Sequence, residues 1–313
     1  MTIESHIEEF AGFRVRDYVP AKGIVDPSHT AYRVTVDSDD VEIGQIQFKD
    51  VLTKFLFDRN IGKLKALVIG TWHAYSDMDS SQIVEFLVSK SDKLKNLSAL
   101  FLGDIVRSEQ EISWIRQSDL SALWAAFPKL KHFHVRGGEG LGLGRIRHDG
   151  LRSLVVESGG LRREVVQQVA TALLPRLEHL ELWLGAEWYG GDATVEDVEP
   201  LLSETLFPKL KTLGIRNFRF ADEFAQKIAV APVLKQLKVL DLSLGTLGDE
   251  GAQALLDSPH IRGLKKLDVH HHYMSNNVME ELSRLPMEVD VSQQYEPDSD
   301  EDDPEERYVA ISE

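Results

Sequence analysis

Leu177-Glu178-His179-Leu180-Glu181-Leu182-Trp183 carries the pattern L-x-x-L-x-L, which returns with variation along most of the chain. Its copies begin at Leu64, Leu97, Leu130, Leu151, Leu177, Leu210, Leu237 and Leu264, with separations of 33, 33, 21, 26, 33, 27 and 27 residues. One such unit has too few apolar side chains to offset the entropy of ordering it. The repeat therefore predicts a solenoid, in which units stack on their neighbours.

The length of the unit predicts the kind of solenoid. Units of about 20–29 residues, with insertions falling in loops, are typical of leucine-rich repeats. We therefore predict an α/β leucine-rich-repeat solenoid of the horseshoe type. Its parallel sheet should line the concave side, its helices the convex side, and an N-terminal α+β cap should cover the first repeat.

The repeat and the composition predict three regions along the chain. Residues 1–60 lack the repeat and show short strand and helix patterns, so they are expected to form the cap. Residues 61–295 should form the solenoid. Residues 296–313 hold nine Asp and Glu against one Arg, which predicts a disordered acidic tail, with a dedicated acidic binding tail as the alternative. Tyr308, Val309 and Ile311 are its candidates for docking on an edge.

The composition narrows the compartment and the class of partner. The chain has no cysteine, which excludes disulfides and thiolate metal sites and fits a reducing cytoplasm. Its first residues lack a secretory signal, and it has no apolar run of about 18 residues that would span a membrane. Its net charge of −16 disfavours nucleic acid and anionic membranes as partners.

Several segments resemble known repeat families. GDEGAQALL at 248–256, after LKVLDLS at 237–243, resembles repeats of the ribonuclease-inhibitor type. Over about residues 60–290 the chain also resembles a family of bacterial leucine-rich-repeat proteins that are described as conserved cytoplasmic proteins. The segments that carry this resemblance are FLGDI (101–105), EISWI (111–115), VRGGEGL (135–141), ELWLG (181–185), YGGDAT (189–194) and LDVHHHYMS (267–275). The resemblance implies the fold and the compartment, and it supplies no catalytic residue. Genes of that family often accompany radical-SAM-type genes, so it also points to a partner encoded nearby.

The residues between the leucines should face the concave surface, because side chains alternate along a strand. They are small and apolar in the first two copies and mostly charged or aromatic from the third onward. The candidate binding residues on this face are His134, Arg136, Glu157, His179, Glu181, Trp183, Arg216, Asp241, Asp268 and His270. Arg136 and Glu157 share a register and are expected to pair, either as an ion pair or as a clamp on a ligand.

Aromatic residues collect after the strands and should lie toward one rim of the solenoid. They are Trp72, His73, Tyr75, Trp114, Trp183, Trp188, Tyr189, His272 and Tyr273. Long insertions occur in the same places, and insertions collected on one face often mark a binding surface rich in Trp and Tyr. The alternative is that these rings fill gaps between irregular loops.

These features favour a non-enzymatic scaffold that binds a protein or peptide. The competing hypothesis is a metal-assisted or acid–base enzyme that uses His134, His179, Glu181, Asp241 and His270. Three adjacent histidines at 270–272 cannot converge on one metal while extended. A turn beginning at His271 would relax this, but a rim of exposed aromatic residues is the favoured interpretation. The glycines from 137 to 144 lack a P-loop lysine. We therefore assign no catalytic residue, no metal ligand and no cofactor.

Overall fold

The computed structural model describes residues 3–36, 47–72, 78–300 and 303–311. Contacts divide the chain into two compact units, Met1–Val156 and Glu157–Glu313. The predicted boundaries at residues 60 and 295 stay predictions.

The first unit is a sheet whose strands follow one another in chain order. Its strands are β1 (Glu9–Phe10), β2 (Phe13–Asp17), β3 (Thr30–Val34), β4 (Ala66–Ile69), β5 (Ala99–Leu102) and β6 (His132–Arg136), and the unit ends within β7 (Ser153–Glu157). Only β1 and β2 pair in antiparallel fashion, whereas β2 to β6 pair in parallel. Its described α-helices are α1 (Phe48–Leu56), α2 (Ser81–Ser89) and α3 (Ala122–Ala126).

The second unit repeats the same construction. It contains β8 (His179–Trp183), β9 (Thr212–Arg216), β10 (Val239–Asp241), β11 (Lys266–Asp268) and β12 (Glu288–Asp290), all paired in parallel and in chain order. Its helices are α4 (Arg163–Ala170), α5 (Val195–Val198), α6 (Ala221–Val230), α7 (Asp249–Leu256) and α8 (Asn276–Ser283). A small antiparallel pair, β13 (Asp298–Asp300) and β14 (Asp303–Glu306), follows.

The repeated leucines form rows across neighbouring strands, as the repeat predicts. In the second unit Leu180, Leu213, Leu240 and Leu267 are neighbours in register and are all fully buried. Each row therefore joins the cores of adjacent repeats, which is how the units stabilise one another. The expected mixed α/β class, with strands added in chain order and helices between them, is confirmed.

A left-handed turn follows each of the strands β9 to β12. Asn217, Leu244, His271 and Gln293 have φ angles of 54°, 66°, 58° and 63°. Each lies five residues after the first residue of its strand. Positive φ is uncommon outside glycine, so its recurrence is a property of the repeat. We call these four residues the turn row.

In the first unit, one sheet face is covered rather than open to solvent. Phe10 packs with Ala66, Val68, Ala99 and Phe101 in one buried cluster. The small residues of the first two copies, which were expected on an accessible concave face, instead make room for the segment around β1 and β2. This is why these positions are apolar and small.

Candidate functional site

The sheet face of the second unit carries a network of charged and aromatic side chains. Arg216 donates from Nη1 to Glu181 Oε1 at 2.8 Å and lies 3.4 Å from Asp241 Oδ2. Trp183 Nε1 donates to the same Glu181 oxygen at 2.7 Å, and Arg216 lies over the Trp183 ring at 4.9 Å. His179 Nε2 lies 3.3 Å from Glu181 Oε2. Five predicted site residues therefore do contact one another.

This network satisfies its own members and leaves little for a ligand. Burial alone would raise the pKa of Glu181, but His179, Arg216 and Trp183 together hold that pKa at about 2. Glu181 is therefore a permanent anion that is already paired. Trp183 was expected at an accessible rim, but it is fully buried, because Arg216 covers its ring.

Four carboxylates lie in one register row across the strands of this unit. Glu181 aligns with Gly214, Gly214 with Asp241, Asp241 with Asp268, and Asp268 with Asp290. We call Glu181, Asp241, Asp268 and Asp290 the acidic row. Arg216 forms ion pairs with Glu181 and Asp241, and Lys266 Nζ lies 3.1 Å from Asp268 Oδ2.

The end of the acidic row is the best-formed cluster of metal-type ligands among the described residues. One ligand atom from each of Asp268, His270 and Asp290 lies within 4.8 Å of the other two. His270 Nδ1 lies 2.6 Å from Asp268 Oδ1. Burial alone would raise the pKa of Asp268, but His270 and Lys266 hold it well below its usual range.

The three adjacent histidines have three different environments. His270 pairs with Asp268, whereas His271 adopts the left-handed turn and its Nδ1 lies 3.1 Å from the Gly245 carbonyl oxygen. His272 is fully buried, with Nε2 2.8 Å from the Val291 carbonyl oxygen. Burial lowers the pKa of both His271 and His272. The expectation of an exposed aromatic rim at His272 therefore fails, because this ring bonds the backbone of the next repeat.

The predicted site residues of the first unit are mostly structural. His134 stacks on Phe101 with ring centroids 3.8 Å apart. Arg136 is buried and donates to the Ile105 carbonyl oxygen at 2.8 Å. Trp72 is buried, whereas Trp114 is 60% exposed. The expected pairing of Arg136 with Glu157, itself buried, stays a prediction, and His73 and Tyr75 lie outside the described residues.

An exposed aromatic patch does exist on the second unit. Trp188 is 56% exposed and follows β8 in a short 3₁₀-helix that ends at Tyr189, which is half-buried. The Arg219 guanidinium lies 5.3 Å from the Trp188 ring centroid. Arg219 and Phe220 line two open clefts of about 350 and 280 Å³. We call Trp188, Arg219 and Phe220 the rim patch.

Sequence reasoning identified Trp188 but missed Arg219 and Phe220. They occupy the loop directly after β9, at the same stage of the repeat as the aromatic insertions. The available signal was their position, since a basic and an aromatic residue follow the strand end at Arg216.

Comparison with known proteins supports the fold more than the function. No protein-family model matches the chain, and no curated protein matches it. One similar structure is the crystal structure of a Bacteroides fragilis protein, determined as a structural genomics target. The two sequences are 37% identical, and the alignment covers 84% of this chain and 75% of the Bacteroides chain, with a TM-score of 0.78. The chain therefore belongs to the same family as that Bacteroides protein.

A second solved structure is much more distant. An internalin of Listeria monocytogenes is 15% identical in sequence, and the alignment covers 84% of this chain and 65% of the internalin chain, with a TM-score of 0.41.

Within the described part of the chain, no helix combines the length and the apolar character that crossing a bilayer requires.

Proposed function

We propose that this protein is a leucine-rich-repeat scaffold that binds a protein or peptide partner through the rim patch of its second unit. The observation that carries the proposal is the exposure of Trp188 beside Arg219 and two open clefts. Tryptophan and arginine are the residues most enriched at interface hot spots. A partner that covers both would bury a large aromatic surface and keep the cation–π contact.

Two further observations support this choice of surface. The predicted concave residues Glu181, Trp183 and Arg216 satisfy one another, so a partner would have to break that network to use them. The net charge of −16 also opposes binding to polyanions, which leaves proteins and peptides as the favoured class.

The test is affinity capture with matched variants of the whole protein. Partners held by the wild type should be lost with Trp188→Ala and with Arg219→Ala. Trp114→Ala is the control, because Trp114 is a similarly exposed tryptophan in the first unit. Capture that survives both rim-patch changes would refute the proposal, as would equal loss with the control.

A second candidate function is a metal-assisted enzyme at the end of the acidic row. It is favoured by the approach of Asp268, His270 and Asp290, since histidine and carboxylate ligands suit zinc and similar ions. Elemental analysis of protein purified without a tag tests whether this cluster binds a metal. A stoichiometric metal that disappears with Asp290→Asn would support the enzyme, whereas metal-free protein after incubation with zinc and manganese would exclude it.

A further inference from the structure

The segment Arg307–Ile311, which follows β14 and has no regular secondary structure, lies on the second unit and is bound mainly through its backbone. Tyr308 donates its N–H to the Tyr273 hydroxyl at 2.9 Å, and that hydroxyl donates to the Tyr308 carbonyl oxygen at 3.0 Å. Ala310 donates its N–H to the Leu244 carbonyl oxygen at 2.9 Å. Backbone hydrogen bonds of this kind give affinity for an extended peptide without requiring a particular sequence.

Asn217 binds both backbone polar groups of Ile311. Its side chain accepts the Ile311 N–H at Oδ1, at 2.9 Å, and donates from Nδ2 to the Ile311 carbonyl oxygen. Asn217 is fully buried and holds the left-handed conformation of the turn row. Both hydrogen-bonding atoms of the Asn217 side chain are therefore used by the backbone of the segment.

Side chains at two positions add selectivity. Arg307 donates from Nη1 to Asp222 Oδ2 at 2.9 Å, while the other oxygen of Asp222 caps the start of α7. A Cβ at Gly248 would lie 2.2 Å from Arg307 Nη1, so glycine there leaves space for the guanidinium. Val309 is buried, whereas Tyr308 and Ala310 are exposed. The groove therefore selects a basic residue and, two positions later, an apolar one.

We infer that this groove, formed by Asn217, Leu244, Tyr273 and Asp222, is a recognition site for extended peptides of the pattern basic–x–apolar. Its occupant in the structure is the chain's own segment Arg307–Ile311, so a partner peptide binds by displacing that segment. The inference rests on the proposed function for its class of partner, a peptide. The groove lies beside the rim patch, since Tyr308 is 6.5 Å from Trp188 between ring centroids.

The contacts of the segment are consistent with displacement. The segment is held by five backbone hydrogen bonds, by Arg307 on Asp222 and Thr246, and by the buried side chain of Val309. A tethered segment competes at an effective concentration on the order of millimolar. A free peptide must overcome this competition, and it should therefore bind better when the segment is weakened.

The experiment measures binding of a fluorescent peptide with the sequence of residues 306–313 to full-length protein by anisotropy. Arg307→Ala/Val309→Ser, which removes the two side-chain anchors of the segment, should bind the peptide at least about tenfold more tightly than the wild type. Adding Asn217→Gly, which keeps a residue tolerant of positive φ but deletes the amide, should weaken binding at least about tenfold. Equal binding by wild type and the anchor variant, or no effect of Asn217→Gly, would overturn the inference.

A measurement on unmodified protein covers the case in which the variants fold poorly. Hydrogen exchange of the Ala310 and Ile311 amides should accelerate when unlabelled peptide is added in excess, because displacement exposes both N–H groups. A peptide with alanine and serine in place of the two anchor residues should have a much smaller effect. Exchange that stays unchanged at saturating peptide would refute displacement.

Failure here can be distinguished from failure of the proposed function. If the peptide does not bind but Trp188→Ala still abolishes partner capture, the rim patch stands and the groove is structural.

Discussion

Raising the pH from 6 to 9.5 should destabilise the first unit through a single histidine, His6. Its Nδ1 lies 3.5 Å from Asp104 Oδ2, and its Nε2 lies 3.3 Å from Glu109 Oε1. The carboxylates of Asp104 and then Glu109 raise the pKa of His6 from 6.5 to about 9. Protonated His6 thereby ties the segment around β1 to the loop after β5.

The sign and size follow from this raised pKa. A group whose pKa is higher in the folded protein contributes its full stability below the unfolded value, here 6.5, and loses it as the pH rises through about 9. The difference corresponds to roughly 3 kcal/mol. Because 29% of the His6 side chain is exposed, solvent screening reduces the expected loss to about 1–2 kcal/mol.

Urea titrations at pH 6 and 9.5 measure this loss. His6→Gln should remove most of the pH dependence, because glutamine does not titrate. His29→Gln is the control, since His29 also lies near a carboxylate, Asp26, but is 80% exposed, and it should behave like the wild type. Burial lowers the pKa values of His271 and His272, which moves their titration away from the range in which His6 loses its proton. If His6→Gln loses as much stability as the wild type between the two pH values, the reasoning fails.

Two further changes test the core and the acidic row. Leu180→Ala truncates a fully buried side chain and should cost about 2–5 kcal/mol in a denaturant melt, whereas Leu173→Ala, at an exposed position, should stay within about 0.5 kcal/mol of wild type. Glu181→Gln should lower stability at pH 7 by roughly 3 kcal/mol, because the folded pKa is held at about 2. That contribution is present above about pH 4.5 and disappears as the pH falls toward 2, so an acid titration in which variant and wild type run parallel would contradict it.

The leucine pattern was sufficient to predict the class of fold, because alternation and spacing alone determine which side chains enter the core. It placed Leu180 and Leu213 correctly in the interior. Which side chains on the other face of the sheet are exposed to solvent could not be predicted in the same way. Strands lie only about 4.8 Å apart, so long side chains such as Trp183 and Arg216 cover one another, and only their packing decides which one meets solvent.

The candidate site was partly predictable for a related reason. Trp188 could be placed at a rim from its position after a strand. The turn row could not, because Leu244 is a poor residue for positive φ. Its N–H donates to the His270 carbonyl oxygen of the next repeat, a contact that no local pattern shows. Docking of Arg307 depends on space at Gly248, about 60 residues earlier in the chain, which no local pattern encodes.

The acidic row supports the proposal that a partner uses the rim patch, in the loops after the strands, rather than the sheet face. Like charges on neighbouring strands destabilise a sheet unless cations compensate them. Arg216 bridges Glu181 and Asp241, and burial raises the pKa of Asp241 against the lowering effect of Arg216. The cations on this face are therefore already committed to the row, and a partner that recruited Arg216 would leave buried carboxylates uncompensated, at a cost of about 3–5 kcal/mol. Trp188, in the loop that follows β8, can be covered without breaking an ion pair of the acidic row.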